Sequence, residues 1–148
     1  HIIKQLREKG YHGYIIGGDA LYTQEMINSG GKYANGLICT TFFHPDISNP
    51  EVIKFVKAFR KLLGGGTPNP LAAQAYDSTK LLFYATLQGP TDRKNLRNNL
   101  SLIGNKLKTF KGVTGEISFD KYGNTKKEWV IVKIENGKFI PFEEKSEQ

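Results

Sequence analysis

Ile16-Gly17-Gly18-Asp19 sets a carboxylate just beyond the carboxyl end of a short apolar run, after two glycines. In an open α/β sheet that is the crevice position where ligands are held. The same aspartate is also the right type to cap a helix that follows, and the sequence leaves both uses of Asp19 open. The other chemistry-bearing residues form no constellation. His1, His12 and His44 lack a ligand spacing such as His-x-x-x-His, and His44, ahead of Pro45, reads as a loop residue. Asp120-x-x-Gly123-Asn124 opens like a calcium loop but lacks the later acidic ligands and the distal Glu, so it reads as a turn. Cys39 is the only cysteine, which excludes an intrachain disulfide and a cysteine-based zinc site. Within Leu37-Ile38-Cys39-Thr40 it reads as a buried, inert thiol. Neither Gly-x-x-x-x-Gly-Lys-Ser/Thr nor Gly-x-Ser-x-Gly occurs. The expectation is therefore no catalytic residue, no metal and no cofactor.

The elements that must position Asp19 follow from periodicity. Ile2, Ile3 and Leu6 lie at helical spacing, and Gly10 ends the run as a C-cap would. Tyr14-Ile15-Ile16 suits a buried strand, and a helix with Leu21, Met26 and Ile27 on one side precedes a second strand at Gly36–Phe43. Helix, strand, helix, strand is the alternation of a parallel sheet. Asn49-Pro50 and Asn69-Pro70 each pair an N-cap with a first-turn proline. The first helix carries Val52, Ile53, Val56, Phe59 and Leu63 to Gly64-Gly65-Gly66; the second runs to about Gln88. On the second helix Leu71, Ala75, Ser78, Leu82 and Ala85 line one stripe. Asp92 caps a third helix with Leu96, Leu100 and Ile103 on its apolar side.

The tail is different. Gly112-Val113-Thr114-Gly115 leads into the alternating Glu116–Phe119, and Trp129–Ile134 forms a further strand. Asn136-Gly137 supplies the two positive-φ residues of a type I′ turn into Lys138–Phe142. A helical middle followed by a β meander is awkward for one doubly wound domain and comfortable for a chain that crosses between two lobes.

The chain has 148 residues, enough for one core, and a net charge of +7. No apolar run approaches the roughly 18 residues of a membrane span. The basic residues fall in scattered groups, such as Lys54, Lys57, Arg60 and Lys61, on the solvent sides of helices. With no nucleic-acid motif beside them, they read as solvated faces rather than a nucleic-acid surface. The opening residues read as the body of a helix with no signal core, so a longer parent chain is expected, with any signal peptide outside this sequence.

Taken in order, Ile2–Gly10, Ile16-Gly17-Gly18-Asp19, Gly36-Leu37-Ile38, Asn49-Pro50, Ala75-Tyr76-Asp77-Ser78 and Gly112-Val113-Thr114-Gly115 with Phe119-Asp120 and Gly123 resemble one family. It is the solute-binding proteins of branched-chain amino acid ABC transporters, carboxyl-terminal portion only. The resemblance implies an α/β fold of the type I periplasmic-binding kind, two Rossmann-like lobes, here partial and ending in a β meander. It implies that residues 1–40 belong to the second lobe, 41–117 to the first, and 118–148 return to the second.

The function implied is extracytoplasmic capture of an amino acid, branched-chain or a similar small polar solute, by closure of two lobes, with no chemistry done on the ligand. Family members place an acidic residue at the position of Asp19 against the ligand's ammonium, and an apolar residue near the position of Leu71 against its alkyl group. On its own residue type Leu71 reads first as core at the first turn of its helix, a contact with ligand being what the resemblance adds. Implied partners are the amino acid and a membrane permease, not nucleic acid, in a periplasmic or extracellular setting. Two copies of the fragment would pair to cover faces left open. The alternative is a ligand-sensing domain of a receptor or of an amide-responsive regulator with the same fold.

Overall fold

In a computed structural model, which describes residues 1–142, Ile2–Glu8 forms helix α1 and ends where Gly10 takes a φ of +82°. The Gly10 amide bonds back to the Arg7 carbonyl and the Tyr11 amide to that of Leu6, the paired bonds of a Schellman ending. Strand β1 (Ile15–Gly17) follows, then a 3₁₀ turn at Asp19–Leu21, helix α2 (Gln24–Gly30) and strand β2 (Leu37–Thr41). β1 and β2 pair in parallel, with Ile16 opposite Ile38, as the alternation of elements requires.

The chain then leaves this first unit, which comprises His1–Thr41 and the described residues 129–142, for a second unit of Phe42–Glu128. Strand β6 (Val130–Glu135) returns antiparallel to β2, setting Cys39 opposite Val132, and β7 (Lys138–Pro141) pairs with β6. The sheet order is β1-β2-β6-β7. Asn136 and Gly137 hold φ values of 50° and 72°, the backbone a type I′ turn needs. Alternation along β2 and β6 turns Leu37, Cys39, Val132 and Ile134 inward, where α1 and α2 contribute Ile3, Met26 and Ile27. Tyr22 stacks on Phe139 with ring centroids 4.3 Å apart.

Cys39 has no exposed surface, and burial, followed by the charge of Asp19, pushes its thiol from 9.0 up to about 11. It should therefore resist alkylation at pH 8 in the folded chain and react at once in denaturant. A raised folded value favours the protonated thiol, so its contribution to stability is complete below pH 9 and is lost as pH rises toward 11. Equal alkylation rates with and without denaturant would refute the buried placement.

The second unit opens with helix α3 (Pro50–Leu62) and helix α4 (Pro70–Thr86), then α5 (Arg93–Ser101). The Asn49 side chain accepts from the Glu51 amide at 2.8 Å and the Asn69 side chain from the Ala72 amide at 2.9 Å. Each such cap is worth about 1 kcal/mol. Asp92 accepts from the Lys94 and Asn95 amides, and its bonds to Asn95 hold its carboxyl below the usual range. Strands β3 (Phe110–Gly112), β4 (Gly115–Phe119) and β5 (Thr125–Lys126) make an antiparallel sheet of their own.

The carboxyl-terminal strands divide between the units: β4 and β5 belong to the second, while β6 and β7 complete the first. Two details depart from the sequence reading. The return placed at residue 118 falls instead between Glu128 and Trp129. Ile117 is buried with Leu81 and Ile103, and Ser118 and Phe119 pair with Lys126 and Thr125, so the chain stays in the second unit until then. Helix α5 also ends at Ser101, leaving Ile103 in a buried bridge to Leu107.

Candidate functional site

Asp19 stands exposed at the start of the 3₁₀ turn, two residues beyond the end of β1. The N-cap of that turn is Gly18, and Asp19 is the acid of its first turn. Helix α2 is capped instead by Thr23, whose hydroxyl oxygen accepts from the Met26 amide at 3.1 Å. Of the two uses open to Asp19 in the sequence, capping α2 is thus taken by another residue. What signalled the competitor was Thr23-x-x-Met26, a cap at the right spacing that Asp19, nearer the glycines, obscured.

Leu71 lies in the second unit, in the first turn of α4, and is 73% exposed. It is not core. The buried side of α4 is Ala73, Asp77, Leu81 and Ala85, so the expected stripe of Leu71, Ala75, Ser78 and Leu82 faces away, with only Ala85 on the inner side. The helix is apolar on two faces, and an acid in the middle of the buried one disguised which would turn inward. Tyr76 packs its ring 4.7 Å from that of Phe55. Asp19 and Leu71 belong to different units and stand as separate candidates.

Asp77 is a buried acid whose role its neighbours in the sequence do not announce. It is 1% exposed, and its carboxylate accepts from the Val113 amide at 2.9 Å, the Thr114 amide at 2.8 Å and the Thr114 hydroxyl at 2.6 Å. Those donors form the tight turn between β3 and β4, where Gly112 pairs with Gly115. A Cβ at Gly112 would lie 2.7 Å from the Asp77 carboxyl carbon, so only glycine fits. The two sequence signatures Ala75-Tyr76-Asp77-Ser78 and Gly112-Val113-Thr114-Gly115 are thus halves of one structure. Lys127 joins it by donating from Nζ to the Thr114 hydroxyl oxygen at 2.6 Å. Burial holds the Lys127 ammonium below the ordinary lysine range, with the charge of Asp77 acting the other way.

Elsewhere the geometry is structural. His44 is buried and its Nδ1 accepts from the Asp46 amide at 3.2 Å. Asp120 accepts from the Tyr122 and Asn124 amides, bonds that close the turn and depress its carboxyl pKa, chiefly through Asn124. Among the described residues no three of His, Cys, Asp and Glu gather to hold a metal ion. No helix among them is long and apolar enough to cross a membrane. An open groove of about 560 Å³ beside β4 mixes Glu116 and Glu128 with Lys126 and Lys127, so it favours neither sign of ligand.

Comparison with known proteins gives the following. Residues 1–138 match the model of a family described as periplasmic binding protein. Among solved structures, the chain is similar to a leucine binding protein, LivK, from Thermotoga maritima, with 32% identity and a TM-score of 0.85 over 96% of this chain and 40% of that one. It is similar also to LivJ, a branched-chain amino acid substrate binding protein from Streptococcus pneumoniae in complex with isoleucine. There the identity is 29% and the TM-score 0.79, over 93% of this chain and 38% of that one. A solute binding protein from R. palustris in complex with benzoate, at 20% identity and a TM-score of 0.73, shares the fold over 95% of this chain and 38% of its own. Each is described as a binding protein. The chain spans 38–40% of the length of these relatives. No match was found among curated proteins.

Proposed function

The chain belongs to the periplasmic binding protein family, with the type I fold over the part of its relatives' length that it spans, and from that premise we propose that it captures an amino acid as the extracytoplasmic component of an ABC transporter. The observation that carries this is the likeness to a leucine binding protein at 32% identity over 96% of the chain. The ligand class is a branched-chain amino acid or a similar small polar solute, held by closure of two lobes in the whole protein. Binding selects the closed state because contacts from both lobes exist only there. Unit 1 is assigned to the second lobe and unit 2 to the first, and the closed form would be presented to a membrane permease from the periplasmic or extracellular side.

Asp19 is the proposed ligand for the amino acid's ammonium. Its support is position at the carboxyl end of β1, exposure, and freedom from the capping duty that Thr23 performs. Charge-assisted hydrogen bonds to an ammonium would select amino acids over simple carboxylates. Leu71 is the proposed apolar contact, supported by its exposure at a helix start.

The test is calorimetric titration of the native protein, purified from its source cells, with leucine, isoleucine, valine and a panel of other amino acids. Binding of at least one is expected, with Asp19→Ala weakening it about tenfold or more. No binding across the panel would sink the transport reading. Binding that Asp19→Ala leaves untouched would remove Asp19 from the site and leave the reading standing.

A further inference from the structure

The chain passes between its units at Thr41-Phe42 and again at Glu128-Trp129. Just inside the second unit, both passages meet the same buried acid through one lysine. Lys127 Nζ donates to the Thr114 hydroxyl oxygen at 2.6 Å, and that hydroxyl donates to Asp77 at 2.6 Å. The same ammonium lies 5.5 Å from the centre of the Phe42 ring. Asp77 is anchored on α4 and fixes the Val113-Thr114 turn, so the relay is tied to both a helix and a sheet. A half-buried ammonium is an expensive way to fill space, and its burial opposes its charge. A solvent-facing lysine such as neighbouring Lys126 would avoid that penalty.

We propose that Asp77, Thr114 and Lys127 form a latch that fastens both connecting segments, at Phe42 and at Lys127, to the second unit. Flexing of the connections is then confined to the residues beyond them, Thr41 on one strand and Trp129-Val130 on the other. Hinges are a few element-terminal residues that absorb the backbone change, and the latch decides which few. That this steers lobe closure rests on the transport reading; the latch itself does not.

The experiment is hydrogen exchange on the 148-residue chain, comparing Thr114→Val and Lys127→Met, which break the relay, with Thr114→Ser, which keeps the hydroxyl. Peptides covering 42–47 and 125–128 should exchange about tenfold faster or more in the two breaking variants and at the parent rate in Thr114→Ser. Peptides from α3 and from Ile103–Leu107 should be unchanged. Connecting segments that do not respond would overturn the latch. So would an equal acceleration throughout the second unit, because it would mean general loosening. The measurement needs no ligand, so a native protein that binds no amino acid would refute the transport reading and leave the latch standing.

Discussion

Replacing Asp77 with alanine is expected to destabilise the second unit by about 3–5 kcal/mol, the range for stripping one partner from a buried charged network. The carboxylate takes two backbone amides and a hydroxyl. Removing it leaves the Val113 and Thr114 amides inside a turn whose central residues are 5% and 2% exposed. Each orphaned buried donor costs about 1–3 kcal/mol. Lys127 would also keep its burial and lose the charge of Asp77 that offsets it. Asp77→Asn should fall between, since the amide oxygen still accepts while its nitrogen faces donors. The alanine change also opens the space that Gly112 must leave free, so Gly112→Ala should do less harm beside Asp77→Ala than alone. Urea unfolding followed by far-ultraviolet circular dichroism measures all three. A loss under 1 kcal/mol for Asp77→Ala would show the network to be a surface ornament.

Gly104→Ala is the second large loss expected, about 2–4 kcal/mol, because two penalties meet at one Cα. Its φ of +82° is left-handed backbone that alanine adopts under strain. A Cβ there would also collide with the Ser118 side chain and approach the Ser118 Cα to 3.1 Å. Neither neighbour can step aside. The Phe119 amide bonds to the Ile103 carbonyl at 3.1 Å, and the Asn105 side chain donates to the Phe119 carbonyl at 3.2 Å. The turn is thereby pinned to β4 on both sides of the glycine. Gly36→Ala is the control: its φ is +81°, but nothing lies within 4 Å of a Cβ, so it isolates the strain at about 1 kcal/mol. Equal losses for the two variants would mean that the close approach to Ser118 contributes nothing.

Signals whose meaning lies within four residues were legible. Asn49-Pro50 and Asn69-Pro70 start α3 and α4, Asn136-Gly137 turns β6 into β7, and Gly10 ends α1, each where the sequence puts it. What the sequence hid depends on distant partners. Nothing near Asp77 announces burial; its justification is a turn 36 and 37 residues away. The same gap misdirected α4, where a helix with apolar residues on two faces turned the one bearing an acid inward. Alternation in Glu116–Phe119 reads identically whichever sheet it joins, so period alone could not say where the chain leaves the second unit. For the candidate site, the position of Asp19 was legible and its competition with Thr23 was not, because two capping residues stood within five positions of each other.

The sheet of the first unit also dictates an order of assembly. Ile38 must find Lys133, yet every residue of the second unit lies between them. Closing so long a loop of unfolded chain is entropically unfavourable, and such distant pairings come late. The second unit is one continuous run whose helices carry their own caps, so its contacts are the more local ones and are favoured to form first. Once they have formed, the intervening chain is no longer a random coil but a folded spacer with ordered ends, and β6 is delivered rather than left to search. During synthesis β2 therefore lacks this neighbour until β6 emerges. That interval, rather than the finished structure, is when this chain is most exposed to mispairing.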